Sequence, residues 1–325
     1  MFNQSRKFID YLIISIKGIG MGAADVVPGV SGGTIAFISG IYEELLNSIK
    51  SVNGKSVKIL FKDGIKEFWK AINGNFLTAL LLGIAVSILS LARAILFLLE
   101  NFPIHVWSFF FGLILASAFI IAMDIKKWTP GILLTIFIGT SIAYMITVIS
   151  PAETTTSNWF VFLTGMIAIC AMILPGISGS FILLLMGKYE FILSALKDLN
   201  IEVIAVFSAG CIAGLLGFSH LLSWMFTKYR NLTIGVLSGF MLGSLNKVWP
   251  WKETLQWRIN SKGEKVPFLQ DNILPGEYEQ IFNEPSFLTG AILLFVFGFL
   301  IIYLLERLIN KKLPFNFKQK KQFVA

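Results

Sequence analysis

Apolar residues run along this chain in long stretches, separated by short segments that collect most of its charge. A helix needs about 20 apolar residues to cross a hydrocarbon core ~30 Å thick. Residues 76–99, 104–123 and 130–149 reach that length in the first half, and 201–226, 232–248 and 286–305 do so in the second. Two further apolar stretches, 8–49 and 159–196, are interrupted by Gly and Pro and read as re-entrant hairpins. The pattern predicts an all-α polytopic membrane protein with an inverted-topology repeat. Residues 1–150 form the first repeat and 151–325 the second, each a broken re-entrant helical hairpin plus three transmembrane helices. Between these elements lie a cytoplasmic amphipathic loop at 50–72, an outer loop at 249–285 and a basic cytoplasmic tail at 306–325.

The two interruptions are copies of one another. Residues 26–46 read VVPGVSGGTIAFISGIYEELL and residues 173–193 read ILPGISGSFILLLMGKYEFIL, an offset of 173 − 26 = 147. Pro28/Pro175, Gly29/Gly176, Ser31/Ser178, Gly32/Gly179, Gly40/Gly187, Tyr42/Tyr189 and Glu43/Glu190 are among the identical pairs. The later spans align as well. An offset of 127 pairs Gly83 with Gly210, Gly112 with Gly239 and Ser117 with Ser244; an offset of 159 pairs Gly131, Gly139 and Tyr144 with Gly290, Gly298 and Tyr303. Matching Gly/Pro interruptions in two halves of a membrane chain are the best sequence pointer to a transporter's binding site.

Basic residues in short loops set the orientation. Arg6 and Lys7 precede the first hairpin, and Lys50, Lys55, Lys58, Lys62, Lys66 and Lys70 follow it, so both flanks are expected in the cytoplasm. Residues 100–103 carry no Lys or Arg and face out, Lys126 and Lys127 face in, and 150–158 again face out. The second half must then run upside down, with Lys228 and Arg230 inside, 249–285 outside and the tail inside. Both termini are expected to be cytoplasmic in a bacterial cytoplasmic membrane. In the loop at 50–72, Val57, Leu60, Phe61, Phe68 and Trp69 alternate with lysines as an amphipathic helix on anionic lipid.

Composition narrows the function classes. The chain is 55% hydrophobic and 14% charged, too apolar for a soluble domain of 325 residues, so its net charge of +8 points to the inner leaflet and not to nucleic acid. No cleaved leader is expected, because the first apolar run carries Asp10 and Lys17 and leads straight into the break. Cys170 and Cys211 lie inside apolar runs and suggest no disulfide, metal or redox site, and the sequence calls for no cofactor.

The candidate chemistry centres on the breaks. Unpaired backbone groups are costly in lipid, so a Pro-Gly-x-Ser-Gly interruption belongs inside protein or beside a polar cavity. Ser31 and Ser178 are expected to cap short half-helices whose free N–H groups favour an anion. Candidate substrate-binding residues are therefore Pro28, Gly29, Ser31, Gly32, Gly33, Thr34, Pro175, Gly176, Ser178, Gly179 and Ser180, joined by Arg93 and its offset-127 counterpart His220. Arg93 serves either as a head-group ligand or as a charge snorkelling to the interface. Asp25 is a candidate for a coupling proton or cation, for a pair with Arg93, or for a bond to freed backbone. Glu43 and Glu190 are coupling or gating candidates, each following a Tyr that reads as interfacial.

The stretch GIGMGAADVVPGVSGGTIAFISGIY at 18–42, LPGISGS at 174–180 and Arg93 in its small-residue span resemble the undecaprenyl-phosphate (polyprenyl-phosphate) transporter family. The resemblance covers nearly the whole chain and is weakest at 249–285. It implies flipping of a polyprenyl phosphate from the outer to the cytoplasmic leaflet, with that lipid as substrate and no enzymatic activity; a proton, a sodium ion or the lipid gradient alone stays open as the driving force. Composition and spacing alone reach only an inverted-repeat transporter for an anion. A transporter of a small soluble anion and a lipid-phosphate phosphatase remain as alternatives. The phosphatase is disfavoured because His105 and His220 stand alone, outside any nucleophile or acid-base cluster.

Overall fold

A computed structural model describes residues 6–27, 30–149, 154–259 and 265–312. The first broken segment is α1 (Phe8–Val26), α2 (Gly32–Ile38) and α3 (Tyr42–Lys50). It is followed by α4 (Gly54–Asp63), α5 (Ile65–Ala71), α6 (Gly74–Ser90), α7 (Ala92–Asn101), α8 (Pro103–Met123) and α9 (Pro130–Val148). The second comprises α10 (Asn158–Ile173), α11 (Gly179–Leu185) and α12 (Tyr189–Lys197), then α13 (Ile201–Lys228) and α14 (Arg230–Ser244). A hairpin, β1 (Lys252–Ile259) and β2 (Lys265–Asn272), precedes α15 (Pro275–Phe282) and α16 (Leu288–Lys312). The chain is mostly helical, as the apolar pattern predicts.

Local chemistry explains the boundaries. Proline opens both α8 and α9, where its missing N–H costs nothing. The turns from α2 to α3 and from α11 to α12 each close on a left-handed glycine, Gly40 (φ +74°) and Gly187 (φ +62°). In both, the glycine N–H and the next N–H return to the helix just completed, at Phe37 and Ala36 and at Leu184 and Leu183. This is the glycine stop that lets a half-helix end inside protein with its carbonyls satisfied.

Among the described residues α8, α9 and α13 are individually long and apolar enough to cross a membrane. Three expectations need correction. Residues 76–99 are not one helix, because α6 ends at Ser90 and α7 begins after Leu91. Residues 232–248 become the 15-residue α14, ~22 Å long at 1.5 Å per residue and short of a full crossing. The amphipathic loop is two helices that meet at Gly64 (φ +85°), with Val57, Phe61, Ile65 and Trp69 exposed. The segment 249–285 also holds a β-hairpin that the hydrophobic pattern did not show, antiparallel and irregular between Thr254 and Trp257.

The helices pack as α1 on α6, α10 on α13, α8 on α16 and α9 on α14, with α8 and α14 touching near the centre. Glycines allow the backbones to meet, as small residues do in membrane bundles. A Cβ on Gly18 would strike Leu80 O and one on Gly83 would strike Ser15 O; on Gly165 and Gly210 the obstacles are Phe207 O and Phe162 O. Gly112 and Gly298 likewise meet Phe295 O and Phe109 O, while Gly239 and Gly139 meet Ile136 O and Val236 O. Shifts of 147, 127 or 159 positions, the offsets that align the sequence, carry the α1–α6 contacts onto the α10–α13 ones, and carry the α8–α16 contacts, which join the two halves, onto the α14–α9 ones.

Polar contacts sort to two ends. At one, Arg6 makes two hydrogen bonds to Glu44 (2.6 and 2.7 Å), Asn73 also donates to Glu44 (2.9 Å), and Glu43 pairs with Arg230. Beside them Lys50 donates to Ser223 Oγ (3.1 Å), which donates to Asn47 (3.0 Å), fastening α3 to α13. At the other end Asn246 donates to Thr147 (2.8 Å) and accepts from Asn272 (2.9 Å), while Lys188 donates to Thr154 O (2.7 Å).

Candidate functional site

The two breaks meet. Ser31 is fully buried, and its hydroxyl donates to Met172 O (3.0 Å) at the end of α10. The same oxygen accepts from Gly33 N (3.0 Å), making Ser31 a true N-cap of α2. Thr34, also fully buried, accepts from Gly176 N (3.1 Å), and Tyr42 donates to Ile173 O (3.1 Å). Gly33 lies so close to Ile173 O that no side chain fits. The first break is therefore bonded across the molecule to residues 172–176 of the second. Tyr42, expected at an interface, is 3% exposed and belongs to this junction.

Asp25 accepts from Gly32 N at 2.7 Å. Of its three possible roles the structure shows the bond to freed backbone. Arg93 is exposed on α7 and makes no ion pair among the described residues, so the Asp25–Arg93 pair is not formed. Asp25, the Ser31 hydroxyl and Ser31 O take the N–H groups of Gly32, Gly33 and Thr34, the last at 2.9 Å. The first three N–H groups of α2 are therefore already taken.

The second copy differs. Pro175, Gly176, Ser178 and Gly179 are buried. Gly176 is left-handed (φ +88°) and presses on α14, where an added Cβ would lie 2.9 Å from Ser244 Oγ and 3.0 Å from Met241 Cα. Ser178 occupies the N-cap position of α11 but makes no capping bond, contrary to expectation; its hydroxyl pairs with that of the half-exposed Ser180 (2.7 Å). The reason lies in the chain: no acid stands at position 172, the counterpart of Asp25, and position 180 supplies a hydroxyl where the first copy has Gly33. Pro28 and Gly29 lie outside the described residues.

Of the remaining candidates, His220 is exposed on α13 and its Nδ1 contacts Leu216 O (2.8 Å). Helix α7 packs on α1, α6 and α8, and α13 on α3, α10, α12 and α14, so Arg93 and His220 stand on elements with different neighbours. Glu43 joins Arg230, 187 positions away, in the contact that ties the first hairpin to the second half. Glu190 lies in the first turn of α12, half-buried.

Sequence reasoning missed a cavity of about 290 Å³ at the opposite end from the Glu43–Arg230 pair. Its walls include Tyr144, Thr147, Val148 and Ile149 of α9 and its C-terminal end, Phe181, Leu184 and Leu185 of α11, Asn246 and Lys247 after α14, and Lys252 and residues 268–272 of the hairpin. The Lys252 ammonium donates to Lys247 O (2.6 Å) and lies 4.3 Å from the centre of the Trp107 ring. The Lys247 ammonium lies 4.7 Å from the centre of the Phe181 ring. Burial, reinforced by the neighbouring Lys247 charge, holds Lys252 well below the ordinary lysine pKa. The sequence signal was slight: two lysines flanking Trp249 and Trp251 at the rim of an apolar stretch.

Comparison with known proteins follows the same line. Residues 21–266 match the VCA0040-like, undecaprenyl phosphate translocase-like family. A polyprenyl-phosphate transporter of Vibrio cholerae serotype O1 is 48% identical over 305 residues, covering 94% of this chain and 99% of the relative. A polyprenyl-phosphate transporter of Staphylococcus aureus is 30% identical over 277 residues, covering 79% of this chain and 92% of the relative. No solved structure matches significantly. With its duplicated breaks locked together inside a bundle of apolar helices, this chain belongs to the undecaprenyl phosphate translocase-like family, a family of transporters and not of enzymes.

Proposed function

We propose that this protein returns a polyprenyl phosphate, undecaprenyl phosphate or a related carrier lipid, from the outer to the cytoplasmic leaflet for reuse in cell-wall and surface-glycan synthesis. It does so by alternating access between two inverted repeats. The observation that carries the reading is the junction of the two breaks, where Ser31, Thr34 and Tyr42 of one copy bond to Met172, Gly176 and Ile173 of the other. A binding site shared by two halves that rock against each other needs such a seam at its centre. The glycine contacts that recur at the sequence offsets support the repeat, and the grouping of Arg6, Lys50 and Arg230 at one end supports a cytoplasmic assignment for that end.

The chemistry fits the cargo. A phosphate cannot cross hydrocarbon unaccompanied, whereas an isoprenoid tail stays in lipid throughout. The head group would pass the hydroxyls and backbone of the breaks, with Arg93 and His220 as further ligands from the exposed faces of α7 and α13. Glu43 with Arg230 acts as the cytoplasmic gate. Asp25 and Glu190 are the positions for a coupling proton or sodium ion. The exposed apolar side chains of α4 and α5, beside Lys58, Lys62 and Lys66, lie on anionic lipid of the inner leaflet.

The test is the amount of polyprenyl phosphate in the outer leaflet of cells depleted of this protein, then supplied with wild type or Arg93→Ala. Build-up cleared by wild type but not by a folded Arg93→Ala supports lipid return with Arg93 as ligand. Build-up cleared by both keeps the transport and removes Arg93 from the site. An unchanged outer leaflet, in a strain without a second such transporter, overturns the lipid reading in favour of a soluble anion.

A further inference from the structure

The cavity beside α11 stands apart from the junction of the breaks and holds two cations with no compensating ion pair. Among the described residues neither Lys247 nor Lys252 makes a salt bridge. Both ammonium groups sit over aromatic faces, Phe181 and Trp107, which hold a cation in place without neutralising it. Two part-buried ammonium groups on one cavity are costly while nothing negative lies between them. Asp271 on the rim supplies one carboxylate for the two.

We propose that Lys247 and Lys252 form the capture site for a lipid-borne phosphate monoester, the point at which the head group first leaves the outer leaflet. This rests on the transport reading above and adds residues to it. Asn246, Gln270, Asn272 and Thr147 supply neutral hydrogen-bonding groups around the two ammoniums. A cavity of about 290 Å³ takes a phosphate and its first isoprene unit but not a long tail.

Two features favour a lipid over a soluble anion. On the α9 side the wall is formed by Tyr144, Val148 and Ile149, which are 50%, 51% and 56% exposed. They continue into the exposed apolar face of Phe137, Ile138 and Met145, so a tail leaving the cavity has a path along α9 into hydrocarbon. Opposite them stand Phe181, Leu184 and Leu185 of α11, the half-helix that carries Ser178 and Ser180 at its start. An occupant therefore rests against the helix leading to the second break. The packing also gives the cavity its turn in the cycle. Helix α3 is fastened to α13 at the cytoplasmic end, while no comparable packing joins its repeat counterpart α12 to α6 at the cavity's end. On the proposed orientation, this arrangement holds the cytoplasmic end together and leaves the cavity's end without a matching seam among the described residues.

The experiment titrates purified protein in lipid nanodiscs with a short-chain isoprenyl monophosphate and, separately, with inorganic phosphate, by calorimetry. Wild type is compared with Lys247→Gln, Lys252→Gln and the double variant, each first shown to be folded by a cooperative thermal unfolding transition. Loss of one charge-assisted contact should weaken isoprenyl phosphate binding about tenfold, and loss of both by more. Asp271→Asn should tighten it. Lys252→Arg, which keeps the charge, serves as the second line of evidence if the glutamine variants do not fold, and should bind where Lys252→Met does not. Equal affinity in wild type and a folded double variant overturns the capture site while leaving the transport reading intact. No binding of the isoprenyl phosphate by wild type overturns the transport reading itself. Inorganic phosphate bound as tightly, with the same lysine dependence, overturns the lipid assignment of the cavity.

Discussion

Replacing Gly176 by Ala tests whether the second break is held by close packing or merely permits a bend. Two separable penalties act there. The residue is left-handed at φ +88°, a conformation that costs an L-residue roughly 1–2 kcal/mol. Its Cβ would also lie 2.9 Å from Ser244 Oγ, 3.0 Å from Met241 Cα and 3.0 Å from Phe240 O. Carbon contacts are comfortable at about 3.5 Å, so α14 or the break must give by about 0.5 Å, and overpacking of that kind costs about 1–3 kcal/mol. The sum is about 2–5 kcal/mol. Two other glycines isolate the contributions. Gly40 is left-handed (φ +74°) with nothing within 4 Å of its Cβ position, so Gly40→Ala should show the backbone penalty alone. Gly217 lies within α13 with nothing within 4 Å and an ordinary φ, so Gly217→Ala should be neutral or stabilise by up to about 1 kcal/mol. The assay is the unfolding midpoint of each purified variant in the same detergent. The expected order of loss is Gly176→Ala, then Gly40→Ala, then Gly217→Ala. If Gly176→Ala loses no more than Gly40→Ala, the break does not pack against α14 as described and the reasoning fails.

Ser31→Ala removes a cap and a cross-molecule donor together and should cost about 1–2 kcal/mol, whereas Ser178→Ala, which loses no cap, should cost less; equal midpoint shifts would contradict the different roles of the two serines. Glu43→Arg should slow lipid return by placing like charges at the gate, and Glu43→Arg with Arg230→Glu should recover it; failure of the double variant to exceed the single one in the outer-leaflet assay removes the pair from gating. Burial holds the folded pKa of Lys252 below the ~10.4 of a free lysine, so in that window the unfolded chain binds more protons and stability rises with pH. The rise should be visible in thermal midpoints as pH climbs toward ~10.4 and reduced in Lys252→Met; parallel slopes would refute it.

Much of the architecture was legible because membrane packing leaves strong marks in sequence. Helices that meet backbone to backbone need small residues at the contact, so the aligned pairs Gly83/Gly210, Gly112/Gly239 and Gly139/Gly298 turned out to be points of closest approach. The identical pair Gly40/Gly187 proved to mark the two turns, where both glycines are left-handed. What escaped was set by partners far apart in the chain. Nothing near Glu43 announces Arg230, and nothing near Lys247 says that Phe181 and the hairpin close a cavity over it. The join between α6 and α7 at Leu91 has neither Pro nor Gly beside it. The hairpin escaped because its strands are largely polar and exposed, outside the reach of an apolar-run argument.

The differences between the two copies carry the mechanistic content. Duplicated sequences specify the same local structure twice, and α1 to α3 and α10 to α12 have the same element order and the same glycine turns. Yet Ser31 caps its half-helix and Ser178 does not, and α3 is fastened to α13 while α12 has no such hold on α6. Under the proposed alternating access, each state of the cycle would hold the two copies in different geometries. Part of that difference is fixed in sequence, since Asp25 and Gly33 have no like residues at positions 172 and 180. The rest, the Lys50–Ser223–Asn47 and Glu43–Arg230 contacts, is reversible polar bonding at the end of the protein where Arg6, Lys50 and Arg230 gather. A bound phosphate at Lys247 and Lys252 would shift the balance only by binding one state better than the other. Under the proposed alternating access, the exchange would be between an occupied cavity and a released α3–α13 seam, with the bonded breaks as the pivot between them.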